Sequence, residues 1–110
     1  MAEQSPVRRV DEIPAQGGDV PGVEVRRLKR AEDVELKVLD VVPGQATPLH
    51  VHPHAHEAVV MAGVGALRGD DGGHPLTAGD RFSVNPNEPH AIESHGTEAL
   101  RIVCMDCFID

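Results

Sequence analysis

Short apolar segments alternate with turn residues along almost the whole chain. Val23–Leu28 alternates apolar and charged residues, and Val34–Val42 carries Leu36, Val38 and two adjacent valines before the turn pair Pro43-Gly44. The same pattern predicts strands at Ala46–His50, His56–Ala62, Gly65–Arg68, Arg81–Val84, His90–Glu93 and Ala99–Asp106. Between them lie Gly63 and Gly65, Asp70-Asp71-Gly72-Gly73, Ala78-Gly79-Asp80, Asn85-Pro86-Asn87 and Gly96. Nothing keeps a helical period over a useful length, so the expected class is all-β, a sandwich or closed barrel. Residues 1–21 are polar and broken by Pro6, Pro14, Gly17, Gly18 and Pro21. They read as an N-terminal arm with a short strand at Val7–Ile13, ahead of a barrel over residues 22–110.

Composition narrows the picture. At 110 residues the chain has room for one domain and one core. With two Phe and neither Trp nor Tyr, that core is aliphatic and offers few aromatic walls for stacking a base or a sugar. A net charge of −8 argues against nucleic acid as a partner. Arg26, Arg27, Lys29 and Arg30 are interleaved with Glu24, Glu32, Asp33 and Glu35, and read as a solvated face. No apolar run is long enough to span a bilayer, and the first residues show no secretory pattern, so no membrane partner and a cytoplasmic location are expected. Cys104 and Cys107 are too few for a disulfide scaffold, and a C-x-x-C on one strand has opposed side chains, against a redox motif.

The chemistry concentrates in His50-Val51-His52-Pro53-His54-Ala55-His56-Glu57, where four of the seven histidines alternate. On an extended strand His50 and His52 project to one face, and imidazole suits Mn, Fe, Ni, Cu and Zn. Pro53 interrupts the pairing, so strict alternation need not continue past it. The cluster is internal, with Val, Pro and Ala as spacers, which opposes a tag or an idle exposed run.

Gly44 followed by five residues and His50-Val51-His52, then His56 or Glu57 and finally Gly63, resembles the first motif of the cupin family. Gly79 through Pro86 to His90 resembles its second motif, with Asn85 for the usual Pro, Asn87 for the usual Gly and Ser94 for the terminal Asn. Asn tolerates positive φ, so the turn before His90 is expected to survive. The resemblance implies a jelly-roll barrel, the cupin double-stranded β-helix. The finer likeness of H-x-H-P-x-x-H-E and P-N-E-x-H to small manganese cupins implies metal ligands His50, His52, His56 and His90. Glu57 stands as the alternative to His56. It also implies a homodimer, in which the arm could add a strand to the neighbour.

Such a site would hold one divalent transition metal, Mn or Fe foremost, with Cu, Ni or Zn as alternatives. Four neutral imidazoles would leave its full charge uncompensated. The function expected is an oxygen-using, dioxygenase-like oxidoreductase on a small organic substrate. A non-redox lyase or isomerase and a non-catalytic binding module are the alternatives. Alternation in the last strand groups Ile102, Cys104 and Asp106 on one face, and the resemblance puts Ile102 and Cys104 inside, near the metal. Cys104 is then either an oxidant-exposed thiol beside the site or a small core residue. His54 is either a substrate-facing base at the mouth or an exposed residue, while His74 and His95 read as surface positions. Arg68, Arg81 and Arg101 are candidates for an inward cation that grips a carboxylate.

Overall fold

The alternating segments pair into two antiparallel sheets. In the computed structural model, which describes residues 6–17 and 20–108, the strands are β1 (Gln16–Gly17), β2 (Val23–Arg30), β3 (Val34–Val41), β4 (Ala55–Ala62), β5 (Val64–Gly69), β6 (Gly72–Thr77), β7 (Arg81–Val84), β8 (Ala91–His95) and β9 (Leu100–Cys107). One sheet has the order β1-β2-β3-β9-β4-β7 and the other β6-β5-β8. Their facing sides meet in a core of Ala58 and Val60 from β4, Leu76 from β6, Ile92 from β8, and Leu100, Ile102 and Cys104 from β9. Polar residues take the opposite side of most strands, the period-2 pattern of a half-buried sheet. The fold is the expected double-stranded β-helix.

Three local differences have physical causes. The arm forms a 3-10 turn at Val10–Glu12 where a strand was expected, with Glu12 N–H on the Arg9 carbonyl and Ile13 N–H on the Val10 carbonyl, both at 3.0 Å. The arm's strand is β1, paired with β2 of the same chain. The arm is tied down by Arg26, whose Nε donates to the Ile13 carbonyl, and by Arg101, which bonds Asp11 and Asp40. Ala46–His50 runs beside β8 but makes only two isolated bridges, Ala46 to Glu93 and His50 to His90. Pro48, which has no N–H, lies between them. β6 carries Gly72, Gly73 and Pro75 and buries only Leu76, so its sequence reads as a turn.

The basic segment of β2 does not form one solvated face. Arg26 is largely buried against Asp40 beneath the arm, Arg27 pairs with Glu35, and Arg30 lies over the Phe108 ring at 4.2 Å. Alternation along β2 sends these side chains to different sides of the sheet.

Candidate metal centre

Three chain segments deliver the histidines to one end of the barrel. His50 and His52 come from the extended segment after Gly44, His56 from the start of β4, and His90 from the residue before β8. His50 and His90 exchange backbone hydrogen bonds at 3.0 Å, which fixes the two motif loops side by side. The second loop is held by Asn87, at φ +61 the only non-Gly residue with positive φ among the described residues, whose N–H donates to the His52 carbonyl at 2.7 Å. The turn thus survives the loss of its usual glycine, as Asn was expected to allow.

The rings are oriented alike. His50 Nδ1 donates to the Pro48 carbonyl (2.6 Å), His52 Nδ1 to the His54 carbonyl (2.8 Å), and His90 Nδ1 to the Glu88 carbonyl (2.9 Å). His56 Nδ1 donates to the Asp106 carboxylate. These oxygens only accept, so each neutral ring keeps its proton on Nδ1 and a bare lone pair on Nε2. The Nε2 atoms of His52 and His56 face each other within hydrogen-bonding distance. Two facing lone pairs repel unless a cation or a proton lies between them, so the donor set fits a divalent transition metal.

Ligating atoms of His50, His52 and His90 lie within 4.8 Å of one another, and so do those of His52, His54 and His56; His52 belongs to both groups. Ring centroids are 4.4 Å apart for His50 and His90, 4.2 Å for His52 and His56, and 5.4 Å for His56 and His90. Burial, together with the neighbouring His56, lowers the His52 pKa to about 4. Burial likewise pushes His54 and His90 down, so these rings are neutral near pH 7, the form that binds metal.

Glu57 does not join the cluster. Along β4, His56, Ala58 and Val60 turn inward, so Glu57 points out, half-exposed and 3.8 Å from Arg81. His54 is half-buried, stacked on His52 with centroids 4.0 Å apart, and is not the simply exposed residue considered from sequence. Its Nε2 lies 3.8 Å from Asp106. His74 and His95 are exposed, beside Asp71 and Glu93.

A cavity of about 380 Å³ opens next to these rings. Its apolar wall includes Leu39, Phe82, Ile92 and Ile102, and Phe108 lines it as well, so both phenylalanines of the chain serve this one cavity. These are the chain's two rings of the Phe, Tyr or Trp kind, so the cavity's aromatic walls are few, as the composition implies. The arginines considered from sequence lie elsewhere: Arg68 pairs with Glu93, Arg81 is exposed, and Arg101 binds Asp40 and Asp11 under the arm. The cations lining the cavity are Arg27 and Lys37. Lys37 holds Asp106 at 2.8 Å, and Asp106 is 2 % exposed. Burial alone would raise the Asp106 pKa, but the hydrogen bonds from His56 and Lys37 outweigh it and hold the carboxyl well below the usual carboxylate range. The opposite happens to Cys104. Burial, reinforced by Asp106, pushes its thiol up to about 12, so it stays protonated beside Asp106 (3.4 Å), a buried core residue and not a poised nucleophile.

Asp106 and Lys37 are the two residues of the site that sequence reasoning missed. The signal for Asp106 was its alternation with Ile102 and Cys104; for Lys37 it was alternation with Leu39, on the side of β3 opposite to the exposed Leu36 and the buried Val38.

Several solved structures share this fold. The polyketide cyclase RemF from Streptomyces resistomycificus superposes with a TM-score of 0.83 at 21% identity, over 96% of this chain and 81% of that one. A predicted oxalate decarboxylase from Thermotoga maritima gives 0.83 at 23% identity, over 94% and 99%. A sugar phosphate isomerase of the cupin superfamily from Silicibacter pomeroyi gives 0.81 at 19% identity, over 93% and 75%. No curated protein matches the sequence significantly. The cupin domain family matches residues 37–106, which contain both histidine motifs and most of the strands of the barrel, and the chain therefore belongs to the cupin family.

Proposed function

We propose that this cupin is a divalent-metal-dependent enzyme acting on a small organic anion, with His50, His52, His56 and His90 as the ligands and Mn or Fe as the metal. The observation that carries this reading is the common orientation of the four rings, each with Nδ1 tied to an oxygen and Nε2 left bare. When bound, the metal would supply Lewis-acid polarisation of a substrate oxygen or, as Mn or Fe, a place for dioxygen.

The chain's own groups favour acid–base chemistry of the lyase or isomerase kind. Arg27 pairs with Glu35 and Lys37 with Asp106, so the charges of the walls cancel in pairs. The +2 of a metal on neutral ligands is then balanced best by an anionic substrate. His54, neutral and stacked on His52, is placed to accept a proton from a substrate at the mouth. Leu39, Phe82 and Ile102 pack the substrate's apolar part and exclude water. The structural relatives named for cyclisation, decarboxylation and isomerisation are consistent with this class.

The oxygen-using oxidoreductase is the second reading. It is favoured by the all-imidazole donor set beside an apolar wall, which suits Mn or Fe and a small apolar gas. The homodimer is likewise a proposal, supported by the exposed apolar row of Val59, Met61 and Met105 on the outer face of the large sheet. Light scattering that finds only an 11.8 kDa particle would remove it.

The test is metal content of untagged protein by inductively coupled plasma mass spectrometry, beside His56→Ala and Glu57→Ala. Near-stoichiometric metal, lost in His56→Ala and kept in Glu57→Ala, is expected. Turnover of a panel of small organic acids, run under air and under argon, then separates the readings: activity that persists under argon supports the acid–base class, and strict dependence on dioxygen supports the second. A wild type that takes up no metal on reconstitution overturns both.

A further inference from the structure

We infer that Asp106 is the positioning residue of this centre: its carboxylate fixes the tautomer and ring orientation of His56 and makes it the most electron-rich of the four donors. The inference rests on the metal-centre reading above and goes beyond the ligand set.

Asp106 stands directly opposite His56 in the β4–β9 register, 50 residues away in sequence, on the same inward face. His50, His52 and His90 rest their Nδ1 protons on backbone carbonyls, which bring dipoles but no charge. Among the four, His56 is alone in resting on a carboxylate. A carboxylate behind an imidazole locks the ring and raises the basicity of the nitrogen that faces the metal.

An ionised carboxylate this deeply buried is costly unless paired. Lys37 supplies the pairing, from the strand on the other side of β9, with Nζ on Oδ2 while His56 and the Cys104 thiol occupy Oδ1. Lys37 therefore keeps the acid an acceptor only. That in turn keeps the His56 proton on Nδ1, and Nε2 toward His52.

The charges of Asp106 and Lys37 cancel as seen from the metal, which yields a clean test. Asp106→Asn alone removes the carboxylate and leaves a net positive charge beside the site. The double variant Lys37→Met/Asp106→Asn removes the carboxylate and leaves the net charge unchanged. Manganese and zinc affinities would be read by chelator competition, and the His56 tautomer in metal-free protein by long-range proton–nitrogen NMR. Both variants should bind metal about 10- to 100-fold more weakly. His56 should become a tautomer mixture while His90, held by a backbone carbonyl, stays as it is. If Asp106→Asn does not fold, the double variant, which strands neither charge, decides alone. Recovery of wild-type affinity in the double variant would reduce Asp106 to a counter-ion for Lys37 and overturn the inference, as would an unchanged His56 tautomer. A wild type that binds no metal would sink the metal reading only, because the tautomer measurement still tests what Asp106 does to His56.

Discussion

Cys104 lies within hydrogen-bonding distance of both His56 and Asp106, and a thiol so close to a histidine and an acid invites a catalytic role. The structure argues the reverse, and the size of the effect can be worked out. Its pKa is pushed up to about 12 from an ordinary 9.0, chiefly by burial and then by the negative charge of Asp106. Near neutral pH this leaves about a thousandth of the thiolate an ordinary cysteine would carry. A more basic thiolate is intrinsically more nucleophilic, and with a Brønsted slope of about 0.4–0.5 that returns roughly 15- to 30-fold. The net expectation is a thiol about 30- to 60-fold slower than an ordinary one before access is considered, and burial of Cys104 slows it further.

The assay is disulfide-reagent labelling of a Cys107→Ser variant, whose single thiol is Cys104, in the folded state and in urea. The unfolded protein supplies the ordinary thiol on the same chain. Slow labelling when folded, at least about 30-fold below the unfolded rate, is the expected result. Equal rates in the two states would refute the reasoning, because neither burial nor Asp106 could then be acting on the sulfur. The same argument predicts that Cys104 resists peroxide while the metal centre is intact.

Two further outcomes follow from the core and from the imidazole cluster. Ile102, fully buried between the sheets, should cost about 2–5 kcal/mol when cut to Ala, read as a shift of the urea midpoint at unchanged slope; a loss well below that would mean the cavity collapses or was never packed. The metal-free protein should lose stability as pH falls from 6.5 toward 4. His52 titrates at about 4 when folded and at 6.5 when unfolded, so the unfolded chain takes up the proton first, and above 6.5 the effect vanishes. Urea midpoints at about pH 7 and about pH 5, above the main carboxylate range, should differ in wild type and differ less in His52→Gln, where the lowered His54 and His90 still contribute. Equal midpoints in wild type would show that the cluster does not resist protonation.

Much of this was legible in the sequence because the motifs are local. Gly44, His50 and His52 sit within nine residues, and strand alternation needs no tertiary information. The choice of His56 over Glu57 came from the family resemblance and was not legible in the alternation itself. Pro53 breaks the alternation that would have carried the phase forward, and the phase is reset only when Ala55 pairs with Cys107 at the start of β4. β6 was lost because Gly72, Gly73 and Pro75 carry turn chemistry while their backbones still pair with β5.

Lys37 and Asp106 were missed for a deeper reason. On most strands a polar side chain marks the solvated face, and a functional cavity inverts that rule over a few residues. On β3 the inverted stretch is Glu35, Lys37 and Leu39, all lining the cavity, while Val38 is buried on the opposite side of the sheet. Glu35 faces Asp106 across the β3–β9 ladder, a pairing of like charges that would be unfavourable were each acid not given its own cation, Arg27 for Glu35 and Lys37 for Asp106. A core strand seldom bears a polar row of this kind, since burying charges such as those of Glu35, Lys37 and Asp106 adds less stability than packing apolar residues in their place. Its presence beside four histidines with bare Nε2 atoms is therefore better explained by what the cavity does than by how the barrel stands, and the predicted loss of metal affinity without loss of fold in the Lys37→Met/Asp106→Asn protein is where the two explanations part.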